Sequence, residues 1–90
     1  MAEILYTESY NKRAQKFLKR HPEMKGQYGK TLELLEINAF HPSLKLHKLR
    51  GRLSELYAVS INITYRIVLI FMIHEDRIIP VDVGSHDEVY

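Results

Sequence analysis

The feature of this sequence that most restricts its fold is a change of hydrophobic period at His41-Pro42. Before it, apolar residues recur every three or four positions. After it they alternate or run together, so a helical first half must pack on a sheet built by the second half. Tyr10, Ala14, Phe17 and Leu18 define one face of a first helix, and Lys12, Arg13, Lys16, Lys19 and Arg20 fill the other. Thr7 or Ser9 can cap it. His21-Pro22 ends it, because the residue before proline is pushed out of helical geometry, and Pro22 with Glu23 can open a second helix. Met24, Tyr28, Leu32, Leu35 and Ala39 mark the apolar face of that helix. Gly26 and Gly29 each weaken it by about 1 kcal/mol relative to alanine, which predicts fraying in its first turns. The short connection makes the pair an antiparallel helical hairpin.

The strands follow from alternation. Glu3 to Tyr6 reads as a short first strand. Leu44 and Leu46 alternate with Lys45 and His47, and the phase slips at Leu49 before the turn Arg50-Gly51-Arg52, a strand with a bend. Tyr57, Val59, Ile61 and Ile63 alternate with Ala58, Ser60, Asn62 and Thr64, the period of a sheet with one buried face. Tyr65 to Ile73 is apolar on both faces apart from Arg66, as in a central strand. His74-Glu75-Asp76-Arg77 is a polar hairpin loop, and Ile78 to Val83 returns. Pro80 cannot donate to a ladder, which predicts an edge, a strand end or a bulge there. Gly84 ends the strand, and Ser85-x-x-Glu88 has the spacing of a capping box, enough for one helical turn at the tail. The order β-α-α-β-β-β is that of an α+β fold, a helical hairpin on a mainly antiparallel twisted sheet.

Ninety residues leave room for one domain, 1–90, with 46% hydrophobic and 27% charged side chains. A chain of this size buries only about 60–65% of the surface its unfolded form exposes, so most apolar residues must serve one core. Cysteine is absent, which excludes disulfides, thiolate nucleophiles and cysteine-held zinc or iron–sulfur clusters and fits the cytosol. No stretch approaches the ~20 apolar residues of a membrane helix, and the first residues lack the pattern of a signal peptide. Net charge is only +2, yet residues 1–52 carry eleven Lys/Arg against five Asp/Glu, and residues 53–90 carry two against six. Such polarity suits an anionic partner, nucleic acid or an acidic protein.

Candidate chemistry lies in the second half. Lys45-Leu46-His47-Lys48-Leu49-Arg50-Gly51-Arg52 holds four cations and no acid. It can bind a phosphate backbone, or be an edge strand charged against aggregation. Arg66 needs a reason among apolar neighbours, either an ion pair with Asp82 or Asp87 or a guanidinium presented to a phosphate. The five histidines have no metal-ligand spacing. His21, His41 and His74 sit at element boundaries or in a hairpin, where surface or capping roles suffice. His47, among cations, and His86, after the last strand, can act as acid and base near neutral pH. Tyr90 is a packing anchor, or stacks on a base or donates its hydroxyl to a phosphate. No G-x-S-x-G or phosphate-binding glycine loop is present, and Ser85 is explained as a cap.

HPSLKLHKLRGRLSELYAVSINITYRIVLIF followed by VDVGSHDEVY resembles the RelE/ParE superfamily of type II toxin–antitoxin toxins, closest to the YafQ-like mRNA interferases. Three motifs carry the resemblance: K-x-H-x-L-x-G before a strand, Y-R-I in the next, and a G-[ST]-H-x-x-[LV]-[FY] tail. It implies a metal-independent, ribosome-dependent endoribonuclease that needs no cofactor. Its partners would be the 70S ribosome with mRNA and a cognate antitoxin. The 2′-hydroxyl would attack the adjacent phosphate, leaving a 2′,3′-cyclic phosphate. His47 would be the base or a phosphate contact, and His86 would protonate the leaving 5′-oxygen. Arg66 would stabilise the phosphorane. Tyr90 would pack near the scissile nucleotide, and Lys45, Lys48, Arg50 and Arg52 would hold RNA phosphates. Ser60 and Thr64 stand where the YafQ-like toxins have a histidine and an aspartate. A ParE-like toxin, which binds DNA gyrase without catalytic histidines, and an inactive antitoxin-binding relative are the alternatives.

Overall fold

The computed structural model describes residues 2–51 and 55–89. Helix α1 spans Glu8–Arg20. Thr7 is its cap, with Oγ1 accepting the Tyr10 N–H at 3.1 Å, and Ser9 lies inside the helix. His21 ends it, and a 3₁₀ turn, Pro22–Met24, leads into α2, Lys25–Ile37. Gly26 and Gly29, the residues expected to weaken its first turns, lie within α2 and face open space, while Met24, just before the helix, and Tyr28 are buried. The buried stripe of α2 also includes Thr31, whose hydroxyl donates to the Gln27 carbonyl at 2.7 Å, and Leu32 is only half-buried. Inside the hairpin the Tyr10 and Tyr28 hydroxyls meet at 2.7 Å.

Among the described residues there are five strands, β1 (Glu3–Ile4), β2 (His47–Lys48), β3 (Tyr57–Ser60), β4 (Tyr65–Met72) and β5 (Arg77–Ser85), in the order β1-β5-β4-β3-β2. β1 runs parallel to β5 and every other pairing is antiparallel. With α1, α2 and a four-residue C-terminal α3, His86–Val89, the chain has the expected α+β architecture, helices on a mixed sheet, although four strands follow the hairpin where the order β-α-α-β-β-β counts three.

Three strands are shorter than the sequence predicts: β1, read as Glu3 to Tyr6, stops at Ile4, and β2 and β3 are cut short by turns. Pro42–Leu44 forms a 3₁₀ turn that His41 caps, its Nδ1 accepting the Ser43 N–H at 3.1 Å. Lys45 then takes a left-handed conformation at φ 50°, so only His47 and Lys48 join the sheet. β3 stops at Ser60, because Asn62 Oδ1 accepts the N–H groups of Thr64 and Tyr65 at 2.9 and 2.8 Å and closes a tight turn. Pro80 sits at a bulge: Val68 pairs with Asp82 and Leu69 with Pro80, leaving Val81 as the extra residue. Gly84 does not end β5, which continues to Ser85.

The sheet has two unlike faces. Val59, Ile67, Leu69, Phe71 and Ile78 join Tyr10, Phe17, Tyr28, Leu35 and Leu44 in the main core beneath the helical hairpin. On the other face Leu49, Ala58 and Val68 form a second, small cluster with Leu56 and Val89. No helix among the described residues is long and apolar enough to cross a membrane.

Candidate functional site

Register decides which side chains can meet, since residues opposed in an antiparallel ladder project to the same face. His47 pairs with Ala58, and Ala58 with Val68. Ser60 pairs with Arg66, and Arg66 with Gly84. These are neighbouring rows, two residues apart along the strands. Both lie on the face away from the helical hairpin, because Val59, Ile67 and Leu69, of opposite parity, are in the main core. Strand spacings of ~4.8 Å and a rise of ~3.4 Å per residue place the His47 and Arg66 backbones roughly 12 Å apart. A long guanidinium side chain can span much of that distance.

The tail reaches the same face. α3 passes directly over Gly84: a Cβ there would lie 3.2 Å from Glu88 Oε1 and 3.3 Å from Glu88 Cβ and Val89 Cγ1. Val89 packs on the cluster of Leu49, Ala58 and Val68. Glu88 Oε1 accepts the Ser85 N–H at 2.9 Å, the reciprocal half of a capping box. Hydrogen bonding from Ser85 holds the Glu88 carboxyl below the usual carboxylate range. His86 is the first residue of this turn, directly after Ser85, which pairs with Tyr65, the neighbour of Arg66.

The side chains carry distinct chemistry. His47 Nδ1 lies 2.9 Å from the Lys45 carbonyl oxygen. A carbonyl can only accept, so Nδ1 carries the proton and Nε2 is the basic nitrogen of the neutral ring. His86 is 60% exposed, its Nδ1 3.6 Å from Asp87 Oδ1, an ion pair when the ring is protonated. Arg66 pairs with neither Asp82 nor Asp87. Its Nη1 donates to the Ile63 carbonyl at 3.4 Å, while Asp82 is engaged by Arg13 at 3.2 Å. The proposed ion pairs fail because Arg13 of α1 takes the Asp82 carboxylate and Asp87 lies on α3 against His86.

The other sequence candidates divide. Lys45 precedes β2 and Arg50 follows it, both exposed, but Lys48 pairs with Tyr57 and so projects to the face opposite His47. Arg52 and Tyr90 lie outside the described residues. Ser60 is half-buried in the Arg66 row, and Thr64 is exposed in the turn before β4. His21 packs between Phe17 and Tyr65, its Nδ1 3.2 Å from the Tyr65 hydroxyl. It borders a cleft of about 260 Å³ between α1 and the tail, lined by Arg13, Lys16, Arg20, Glu88 and Val89. His74 belongs to the 3₁₀ turn Ile73–Glu75. Among the described residues no group of three or more His, Asp and Glu is gathered as metal ligands. Sequence reasoning passed over Gly84 as a strand end. The signal was present, a glycine just before a capping box, but only the close approach of α3 gives it a purpose.

Several solved structures share this fold. YafQ from E. coli strain BL21(DE3) superposes with a TM-score of 0.80 at 15% identity, covering 100% of this chain and 99% of that one. The E. coli DinJ-YafQ complex gives 0.78 at 16%, with the same coverage. The YoeB-YefM complex from Staphylococcus aureus gives 0.70 at 20%, covering 96% and 98%. A comparison with curated proteins finds no match. The family model described as the bacterial toxin of type II toxin-antitoxin system, YafQ, matches residues 2–90. With that match over almost the whole chain, and with the fold shared with those structures, the chain belongs to the YafQ family of bacterial type II toxins.

Proposed function

We propose that this toxin is a ribosome-dependent, metal-independent endoribonuclease that inhibits translation in the cytoplasm by cleaving mRNA, and that a cognate antitoxin neutralises it. One observation carries the reading: the register sets His47 and Arg66 on the sheet face over which α3, beginning with His86, is folded. In the reaction, a ribose 2′-hydroxyl loses its proton to His47 Nε2, and its oxygen attacks the adjacent phosphorus. Arg66 offers N–H donors to the charge that builds on the phosphorane. His86 gives its proton to the departing 5′-oxygen, leaving a 2′,3′-cyclic phosphate. Ser60 and Thr64 contribute no second acid–base pair, so two histidines and one arginine bear the chemistry. Tyr90 packs near the scissile nucleotide. Lys45, Lys48, Arg50 and Arg52 contact RNA phosphates, with Lys48 reaching a strand on the far side of the sheet edge. The DinJ-YafQ and YoeB-YefM complexes support an antitoxin as partner.

Primer extension on an mRNA translated in a reconstituted system tests this. Ribosome-dependent cuts by the wild-type chain that disappear in His86→Ala are expected. An unchanged rate in His86→Ala removes that histidine from the mechanism. Absence of cuts, together with loss of gyrase supercoiling in its presence, transfers the protein to the gyrase-binding class.

A further inference from the structure

The sheet beneath α3 is cut down to admit it. Gly84 offers no side chain where Glu88 and Val89 would lie 3.2–3.3 Å from a Cβ. Ala58, fully buried, and Val68 form the floor on which Val89 rests. The same cluster contains Leu49, two residues after His47 on the edge strand segment, so one small apolar contact joins the chain segments that bear the two histidines. α3 itself is four residues long and has no fully buried side chain, too little to hold its own orientation. Beside the Val89 contact, the bond from the Ser85 N–H to Glu88 Oε1, at 2.9 Å, closes a ring around His86 and Asp87 and helps to fix that first residue.

We infer that Glu88 is a positioning residue for His86: its carboxylate, bonded to the Ser85 N–H above Gly84, clamps the one-turn helix that aims the imidazole at the leaving oxygen. Glu88 touches no substrate in this arrangement. The inference rests on the catalytic role given to His86 above. It adds that the tail requires an acceptor three residues after Ser85 and no side chain at position 84, requirements distinct from the chemistry of the imidazole.

The discriminating variants are Glu88→Ala, which removes the acceptor, and Glu88→Gln, whose amide oxygen can still accept the Ser85 N–H. Single-turnover cleavage on programmed ribosomes should show Glu88→Ala slowed about tenfold or more with KM nearly unchanged, since a small misplacement of a reacting group has that scale of effect. Glu88→Gln should recover most of the rate. Hydrogen exchange at the Ser85 amide should quicken in Glu88→Ala and stay slow in Glu88→Gln, with the thermal midpoint of each close to that of the wild type. Gly84→Ala should slow cleavage in the same manner by lifting α3. Loss of cleavage in His86→Ala beside full cleavage in Glu88→Ala overturns this inference alone, as does an unaltered Ser85 exchange rate in Glu88→Ala. Full cleavage in His86→Ala overturns the functional reading and this inference with it.

Discussion

Tyr10 and Tyr28 share one hydrogen bond in a nearly dry place: Tyr10 is 1% exposed, and their hydroxyls lie 2.7 Å apart. Burial, reinforced by its partner, pushes the Tyr10 phenol far above its ordinary value. The unfolded chain releases that proton near pH 10 and the folded one does not. The associated stability is therefore complete below about pH 10 and drains away as the pH rises further. Tyr28→Phe should leave the Tyr10 hydroxyl unpaired and cost about 1–3 kcal/mol, whereas changing both residues to Phe should cost less than that single change. Denaturant midpoints of the single and double variants check this. Arg66 is the opposite kind of residue. Among the described residues it has no carboxylate partner, so Arg66→Ala should keep its denaturant midpoint within about 0.5 kcal/mol of wild type while losing cleavage. The sequence marked Arg66 as exceptional but could not choose between ion pair and phosphate contact, because the choice depends on where Asp82 points.

At the scale of elements, helices were easier to read than strands. A cap such as Thr7 and the 3.6-residue stripe of Tyr10, Ala14 and Phe17 act through local contacts and appear where the residues predict them, whereas Pro22 opens a 3₁₀ turn before α2 and Ala39 lies beyond the end of α2. Strand lengths depend on partners. The alternation of Leu44 and Leu46 lost to the 3₁₀ turn after Pro42, and that of Ile61 and Ile63 lost to the Asn62 turn, which leaves Ile63 91% exposed. The capping box at Ser85 was legible from spacing alone. Because the Glu88 carboxyl titrates below its ordinary value, its contribution is present above about pH 4.3 and is lost as the pH falls through its folded value. The protection of the Ser85 amide, measured against its intrinsic exchange rate at each pH, should therefore fall in acid before the main core opens. A Ser85 amide whose protection follows global unfolding at every pH would contradict this.

For the molecule as a whole, the uneven charge along the chain should govern its encounter with RNA. The positive excess of residues 1–52 lies in the basic face of α1 and in the segment around β2. Binding to ribosomes should weaken steeply with salt, and Arg50→Ala should reduce the slope of log K against log[salt] by about one. An unchanged slope would take Arg50 off the phosphate path. The basic segment is divided by its fold, since alternation along β2 sends His47 and Lys48 to opposite faces. The sequence by itself determined the class of fold, the helical hairpin, the central strand and the residues able to do acid–base chemistry, because periodicity, caps and ionisable groups are properties of short segments. Only the tertiary structure decided that β1 lies parallel against β5, that Asp82 answers Arg13 and not Arg66, and that α3 folds over Gly84. Each of these depends on which distant segments are brought into register, and no local pattern encodes that.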